Sequence, residues 1–261
     1  MNVKLIAHTA SPELLVGAAG RLCYSDTDAT EIMDSMTQED AQGMCRRLAV
    51  IGHDSPLEHA VFTFAIDGVS RSLLAQITRH RIASFSVQSQ RYVKINDFEF
   101  VTPPEIEADE TTKSVFQGAM LTAITAYRQI AEHLEERYYT EYTADDKYPP
   151  KVARSKAQKR AIEDARFVLP NAACTKMIVT MNARELLHFF ELRTCNRAQW
   201  EIRKLAELML AACYREAPTL FETAGCGCCN TGCREGRMGC GNGLMRRHEI
   251  EEIKEGAINN G

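Results

Sequence analysis

The chain reads RHRIASFSVQSQRY from Arg79 to Tyr92. These fourteen residues include three arginines, one histidine, three serines and two glutamines. Arginine presents a planar fork of donors that fits phosphate and carboxylate groups, and serine and glutamine add neutral groups that fix orientation. The stretch therefore predicts a site for a nucleotide phosphate, a cofactor diphosphate, or both. A solvated basic face or a nucleic-acid patch is the alternative that composition alone leaves open.

The rest of the chain places this basic stretch in an acidic background. The 261 residues carry a formal net charge of -4, with 45% hydrophobic and 25% charged residues. These fractions are ordinary for a soluble globular protein, and the length permits one large domain or two small ones. The negative charge argues against a dedicated nucleic-acid-binding protein. A local positive site in such a chain suits capture of a small anionic ligand.

Hydrophobic periodicity predicts a fold with more helices than strands. Strands are expected at residues 3–8, 60–67 and 175–181, and helices at 12–22, 39–51, 111–140, 156–167, 183–194 and 198–216. Ser11 is a candidate cap of the first helix, and Gly52 is expected to end the second. Ser70 is expected to cap a further helix that leads into the basic stretch, which then continues as a loop or extended segment.

These elements show no regular alternation of strand and helix. The predicted fold class is therefore α/β of the mixed α+β kind, a single domain of helices packed on a small sheet. The chain has no Gly-x-Gly-x-x-Gly sequence, so a Rossmann cradle is not expected. No apolar run approaches the roughly 20 residues that span a bilayer, and the N-terminal apolar stretch is too short for a signal peptide. We expect a cytoplasmic protein without membrane contacts.

Ten cysteines are present, and five of them lie between Cys226 and Cys240. In a reducing compartment disulfides are not expected there. Cys226, Cys229, Cys233 and Cys240 could bind zinc, but only the first pair has the usual ligand spacing. The sequence favours a flexible tail with free thiols and without a metal.

Four blocks of the chain resemble one family in their order. Arg79-His80-Arg81, seven residues and then Ser89 form a pattern that resembles the signature of the flavin-dependent thymidylate synthases. The loop 53–59 with the following strand, the segment 165–170 and the segment 182–203 are similar to further blocks of that family. The resemblance covers roughly residues 1–220 as one domain and leaves 221–261 as the cysteine-rich tail.

This resemblance implies a homotetramer of α/β subunits, with FAD and dUMP sites built from several chains. It implies reductive methylation of dUMP to dTMP, with carbon from methylenetetrahydrofolate and flavin reduction by NADPH. By motif position it implies FAD contacts from Ser55, Arg79, His80, Arg81, Asn182, Arg184 and His188. It implies dUMP contacts from Gln76, Arg79, Ser89, Gln90, Arg91, Arg166 and Arg193. Two positions depart from the pattern, since His188 stands where other members can carry asparagine and Arg197 where others carry histidine.

The residues themselves suit a nucleotide monophosphate. Arg79, Arg91 and Arg166 could clamp its phosphate, with a hydroxyl from Ser89. Methylation at uracil C5 needs electron density on that carbon, and a permanent cation at Arg193 would favour the anionic base. Arg193 is thus the catalytic candidate, as an electrostatic activator; a helix-end arginine that binds carbonyl groups is the structural alternative.

The flavin would have to be held by side chains. Arg79, Arg81 and Arg184 are the natural partners of its diphosphate, and His53 and His80 could pack on or hydrogen-bond to its ring system. Each histidine alone would more often be structural. Arg184 and His188 share one helical face at i,i+4, whereas Arg193 falls on another face.

Cysteine catalysis is not favoured. Classical thymidylate synthases attack uracil C6 with a thiolate, but here Cys195 is the only candidate near the conserved blocks, and the resemblance points to a hydride from reduced flavin. One rival interpretation is a flavin enzyme that hydroxymethylates a pyrimidine nucleotide at a similar site. Another is a nucleic-acid-binding module that uses residues 79–91 and a zinc tail, but net charge and the lack of interleaved stacking aromatics count against it.

Overall fold

The computed structural model describes residues 1–91, 99–144, 147–230 and 232–259. Tyr92, the last residue of the signature stretch, lies outside the described residues. The chain divides into two compact units. The first unit comprises Met1–Asp67, Ala75–Ser86 and Met177–Gly261, and the second comprises Gly68–Leu74 and Val87–Lys176.

The described residues form one four-stranded sheet and ten α-helices. The strands are β1 (Asn2–His8), β2 (Val61–Ser70), β3 (Ala83–Val87) and β4 (Cys174–Asn182), in the order β1-β2-β4-β3. The helices are α1 (Pro12–Leu22), α2 (Ala29–Ser35), α3 (Gln38–Ile51), α4 (Arg71–Ile77), α5 (Pro104–Glu107), α6 (Glu110–Thr143), α7 (Pro150–Ala165), α8 (Ala183–Arg193), α9 (Trp200–Glu216) and α10 (Gly243–Asn259). The predicted mixed α+β class is confirmed.

Strand β2 shows why the sequence pattern gives a sheet. Phe62, Phe64 and Ile66 are fully buried and alternate with more exposed residues, as expected when one face of a strand packs on a core. Strand β1 pairs with it antiparallel, with Leu5 opposite Phe64. In the first unit Phe221 packs edge-to-face on Phe62 at a centroid distance of 5.3 Å, so aromatic rings fill this part of the core.

Local signals set several helix ends. Gly52 ends α3 in the left-handed conformation (φ 71°), as predicted, because only glycine adopts it without steric cost. The predicted cap at Ser70 is confirmed by the hydrogen bond that its Oγ accepts from the backbone N–H of Leu73, at 3.0 Å. The predicted cap at Ser11 is wrong, since Ser11 is itself left-handed (φ 46°) and no cap hydrogen bond from its side chain is found among the described residues.

Other boundaries differ from the prediction for physical reasons. Helix α7 begins at Pro150 and not at 156, because proline is well tolerated in the first turn, where its missing N–H is not needed. Residues 83–87 of the signature form strand β3, which agrees with the extended one of the two expected conformations, loop or extended segment. Helices α2 and α10 were not predicted, and α10 has only a weak separation of polar and apolar faces.

The second unit is built around the long helix α6 and helix α7. Ala153, Ala157, Ala161 and Ala165 follow one another at helical spacing on α7 and are fully buried. Small residues at these positions let the two helices approach closely. Tyr138 on α6 donates a hydrogen bond to Asp164 at 2.9 Å. These contacts make α6 and α7 a tightly packed helical pair.

The cysteine-rich segment is part of the first unit and is followed there by helix α10. Its side chains Arg246, Ile250, Lys254 and Ala257 are buried, and the Lys254 Nζ donates to the carbonyl oxygen of Glu222 at 2.8 Å. The domain boundary expected near residue 220 stays a prediction. None of the helices in the described ranges combines the length and apolar character needed to cross a membrane.

Candidate functional site

Helix α8 places two sets of predicted site residues at its two ends. Asn182 precedes the helix and caps it, because its Oδ1 accepts a hydrogen bond from the Glu185 backbone N–H at 2.8 Å. Arg184 and His188 lie one turn apart and both line a cavity of the first unit. Arg193 is the last residue of α8. The prediction that Arg184 and His188 share a face is thereby confirmed.

The cavity measures about 1120 Å³, which is large enough for a dinucleotide cofactor by comparison with common ligand pockets. Its lining includes three arginines, each paired with a glutamate of the same lining: Arg46 with Glu222 at 3.0 Å, Arg184 with Glu58 at 2.5 Å, and Arg234 with Glu191 at 2.8 Å. All three arginine side chains are about half exposed or more. Replacing the glutamate of such a pair with another anion therefore costs little free energy.

A flavin diphosphate fits this donor set. The N-terminus of the eleven-residue helix α8 lies in the lining with Asn182 and Arg184, and a helix N-terminus favours an anionic group. The Glu58 carboxylate raises the pKa of Arg184 through a hydrogen bond, because the anion stabilises the charged guanidinium. The fit requires the incoming diphosphate to take the place of Glu58 at Arg184.

The other residues predicted to contact FAD lie around the cavity rather than in its lining. His53 and Ser55 are exposed and flank the lining residue Asp54, and Arg81 is exposed next to the lining residue Ile82. The His53 ring lies 2.9 Å, Nδ1 to hydroxyl oxygen, from Tyr24. These contacts with FAD stay predictions.

His80 occupies a different environment, since its side chain is only 3% exposed. Its Nδ1 lies 3.0 Å from Glu185 Oε1, and its Nε2 lies 3.1 Å from the Nε of Arg193. Burial lowers the pKa of this imidazole, which favours the neutral ring. Both ring nitrogens are thus engaged by protein groups, and the predicted flavin contact of His80 would have to use its ring edge or backbone.

Arg193 and Arg79 form a local concentration of positive charge in the first unit. Burial, and next the charge of Arg79, lowers the pKa of Arg193. Two guanidinium groups placed near each other repel, so the arrangement favours an anion that both can bind. The backbone oxygen of Gln76 accepts from the Arg79 N–H at 3.3 Å, which brings Gln76 into the same turn.

The remaining residues predicted to bind dUMP lie in the second unit. Arg91 Nε is 2.8 Å from Glu163 Oε1, and Arg166 Nε donates to the carbonyl oxygen of Glu163 at 3.1 Å. The Ser89 hydroxyl accepts from the backbone N–H of Arg91 at 3.2 Å. The Glu163 residue therefore brings together two of the three predicted phosphate ligands, with the hydroxyl beside them.

Gln90 adds an independent sign of a ligand in the second unit. Its residue is 9% exposed, and among the described residues no acceptor lies within hydrogen-bond distance of its buried Nε2. A buried amide without a partner is costly, so such a group marks a place where a ligand or water is expected. The assignment of Gln90 as a substrate-binding residue stays a prediction.

Sequence reasoning missed Glu58, Glu185 and Arg246. Glu185 could have been noticed, because it lies one turn from the buried Phe189, and a carboxylate on an apolar helical face needs a partner. Arg246 on α10 is 6% exposed and binds Glu207 at 2.6 Å and Glu249 at 2.7 Å. The i,i+3 spacing on a helix could have indicated Glu249, but no sequence pattern indicates Glu207, which packing alone brings to Arg246.

Within the first unit, Arg197 makes contacts with the cysteine-rich segment. Arg197 forms an ion pair with Glu235 at 3.1 Å and donates to the carbonyl oxygen of Met238. All ten cysteines lie in the described ranges, and none forms a disulfide there. The Sγ atoms of Cys226 and Cys229 are 3.9 Å apart, and in the described residues no three His, Cys, Asp or Glu side chains are placed to hold a metal ion.

The two groups of arginines offer binding partners for anionic groups. A family model described as "Thymidylate synthase complementing protein" matches residues 4–219. A flavin-dependent thymidylate synthase from Clostridium tetani is 48% identical over 241 residues, which are 92% of this chain and 93% of that protein. The enzyme of the same name from Geobacter sulfurreducens is 45% identical over 255 residues, 97% of this chain and 99% of its own.

A relative with a lower sequence identity carries the same enzyme name. A flavin-dependent thymidylate synthase from Pyrococcus abyssi is 38% identical over 216 residues, covering 80% of this chain and 78% of its own. The chain belongs to the flavin-dependent thymidylate synthase family. The resemblance inferred from the four sequence blocks is confirmed. The family model ends at residue 219, as the expected extent of about residue 220 requires, but the two relatives that cover 92% and 97% of the chain extend the similarity into the cysteine-rich segment.

Proposed function

We propose that the protein converts dUMP to dTMP by flavin-dependent reductive methylation. In the balanced reaction, dUMP, methylenetetrahydrofolate, NADPH and one proton give dTMP, tetrahydrofolate and NADP⁺. The observation that carries this proposal is the family match over residues 4–219, which includes every arginine of the signature. The placement of Arg193 beside Arg79 gives it a chemical basis.

FAD is the proposed cofactor, and the cavity beside α8 is its proposed site. Arg184 and the N-terminus of α8 would hold the diphosphate, with Arg81 nearby, and His188 and Asn182 would contact the remainder. When bound, the flavin supplies the hydride that completes the methyl group. The exposed Arg184–Glu58 pair would open on binding, because the diphosphate carries more charge than the carboxylate it replaces.

Arg193 would activate the pyrimidine. Its Nε–H is taken by His80, so the N–H groups of its two terminal nitrogens are the donors that can reach uracil oxygen atoms or N3. A fixed cation at this place stabilises negative charge on the ring and raises electron density at C5. The guanidinium stays protonated, so its role is electrostatic and not that of a general base.

The phosphate of dUMP would be held by Ser89, Arg91 and Arg166 of the second unit, with Gln90 as a further ligand. Arg91 is about half exposed in its pair with Glu163, so a phosphate with nearly two charges can compete for it. The Nε2 of Gln90, which has no hydrogen-bond partner among the described residues, is a donor that such a ligand can accept from.

We also propose a homotetramer with active sites shared between subunits. The proposed ligands of the two nucleotides come from widely separated parts of the chain, and the family resemblance implies sites built from several chains. Mixing an inactive Ser89→Ala variant with an inactive His53→Ala variant should restore part of the activity if these residues meet across chains. A stable, fully active monomer in sedimentation would overturn this assembly.

The purified protein provides the direct test. We expect it to be yellow, with flavin absorption that bleaches on addition of NADPH, and to form dTMP from dUMP and methylenetetrahydrofolate. Product analysis separates the rival activity, since a hydroxymethylase would yield the 5-hydroxymethyl nucleotide. Colourless protein that cannot be reconstituted with FAD and forms no dTMP would contradict the proposal.

A further inference from the structure

We infer that Glu185 is a positioning residue that, through His80, orients the guanidinium of Arg193 for the reaction. This inference rests on the proposed function and adds to it a residue that does not touch substrate. The three side chains form a chain of hydrogen bonds in the first unit, from Glu185 Oε1 to His80 Nδ1 at 3.0 Å and from His80 Nε2 to Arg193 Nε at 3.1 Å.

The donors and acceptors in this chain are fixed by chemistry. Arginine has no acceptor, so its Nε–H donates and the Nε2 of His80 must accept. A neutral imidazole that accepts at Nε2 carries its proton on Nδ1, and that N–H points at the Glu185 carboxylate. The carboxylate thus selects the tautomer that gives Arg193 its acceptor.

Packing holds the imidazole of His80 in one orientation. The His80 and Glu185 side chains are 3% and 8% exposed. The His80 ring packs edge-to-face on Phe189 at a centroid distance of 5.0 Å and on His188 at 6.0 Å. Because the ring is enclosed, its two nitrogens keep their partners, and Arg193 is held by an element that is itself rigid.

Loss of the carboxylate would remove this selection. Without Glu185 the Nε2–H tautomer becomes accessible, and its N–H would face the N–H of Arg193, donor against donor. The guanidinium would then lose its fixed direction, although its charge would remain. Since misplacement of a catalytic group by about 1 Å can cost about a hundredfold in rate, even a partial release should be measurable.

A double-mutant cycle tests whether Glu185 acts through Arg193. We expect Glu185→Ala to lower kcat for dTMP about tenfold or more, with kcat expressed per bound flavin because Glu185 also lines the cavity proposed for FAD. In the Arg193→Ala background the same change should alter the residual rate less than about twofold, because the group that Glu185 positions is absent. An equal loss in both backgrounds, or a wild-type rate in the single variant, would overturn the inference.

Two further variants distinguish an effect on the rate from an effect on folding. Glu185→Gln keeps the volume of the side chain, but its amide can also donate to Nδ1 and so populate the wrong tautomer. We expect Glu185→Gln to lower kcat less than Glu185→Ala does. In the Arg193→Ala background it should have little further effect on the residual rate. Glu13→Gln is the matched control, because Glu13 is equally buried and accepts hydrogen bonds from Gln38 and Thr219. It should lower stability and leave wild-type kcat.

The tautomer itself is a readout that does not depend on activity. In histidine-labelled protein, long-range ¹H–¹⁵N spectra should show His80 protonated on Nδ1, with His80→Gln identifying the signal. Glu185→Ala should shift this signal toward the Nε2–H form. An Nε2–H ring in the unmodified protein would refute the inference even if dTMP is formed. Absence of dTMP formation would refute the proposed function and leave the tautomer result standing.

Discussion

The Nε of Arg246 donates a hydrogen bond to the carbonyl oxygen of Thr194 at 2.6 Å. Thr194 follows Arg193 directly and forms the C-terminal cap of α8. A cation at this position satisfies a terminal carbonyl group and interacts favourably with the negative end of the helix. Helix α10, which lies beyond the region matched by the family model, therefore supports the end of α8 from which Arg193 projects.

Replacement of Arg246 by alanine should destabilise the first unit. The side chain is 6% exposed and its loss would leave Glu207 and the Thr194 carbonyl without their partner, at a cost of about 3 kcal/mol. Urea unfolding measures this difference. His248→Ala is the control on the same helix, because His248 is 76% exposed and should change stability little. Equal stability of the two variants would show that the Arg246 network does not support the fold.

The elements that the sequence predicted well are those whose signals are local. The alternation of Phe62, Phe64 and Ile66 defines β2, and Gly52 ends α3 through its own backbone freedom. The spacing of Arg184 and His188 predicts their common face from the helical period alone. Such features require no knowledge of distant partners, and they were predicted correctly for that reason.

Features that depend on distant parts of the chain could not be predicted. His80 and Glu185 are separated by 105 residues, and their hydrogen bond exists only because the fold buries both. The sequence assigns His80 to FAD without revealing that both its ring nitrogens bind protein groups, and the contact with FAD stays a prediction. Serine is a residue type typical of helix caps, but Ser11 has a left-handed backbone, and its side chain makes no cap hydrogen bond among the described residues. Residue type alone does not report these tertiary constraints.

Retention of FAD should depend on Arg184 and Arg81. Alanine at either position should lower the flavin-to-protein ratio after purification, because each removes a cation proposed to bind the diphosphate region. Absorbance of the isolated protein gives this ratio. Arg154→Ala is a suitable control, since Arg154 is a similarly exposed arginine of the second unit that pairs with Glu136. Full flavin occupancy in both Arg184→Ala and Arg81→Ala would rule out these assignments.

Cys229 should be the most reactive thiol of the cysteine-rich segment. A hydrogen bond from Cys226 lowers the pKa of the Cys229 thiol to about 7. The same hydrogen bond, and next burial, raises the pKa of Cys226 above its ordinary value. Alkylation rates at Cys229, followed by peptide mass spectrometry, should reach half their maximum near pH 7. In Cys226→Ala the midpoint should move to higher pH, because the stabilising donor is lost. An unchanged midpoint would contradict this explanation.

Stability should fall in acid partly through His80. Burial lowers its pKa, and the charges of Arg193 and His188 act in the same direction, whereas Glu185 opposes them. The unfolded chain then binds a proton more readily than the folded one, so the contribution of His80 is lost as pH falls below about 6.5 toward the folded-state pKa.

Urea unfolding between pH 7 and pH 5 measures this dependence. His80→Gln should show a smaller decrease in stability over that range than the unmodified protein, because its side chain does not titrate. His248→Ala should keep the full decrease, since that ring is largely exposed. If His80→Gln and the unmodified protein lose stability in parallel, the buried imidazole does not account for the acid sensitivity.

Arg193 should be essential to the rate, whereas Cys195 should not. Loss of a charge-assisted hydrogen bond to the developing anion costs on the order of 3 kcal/mol, or about a hundredfold in rate, so Arg193→Ala should be severely impaired. Arg193→Lys should rescue poorly, because lysine has neither the planar fork nor the Nε–H that binds His80. Cys195→Ala should remain active, because a hydride from the flavin requires no thiolate adduct. The measurement is dTMP formation at saturating dUMP, with flavin occupancy checked in each variant. A fully active Arg193→Ala beside a Cys195→Ala that holds FAD and dUMP normally but forms no dTMP would reverse these roles.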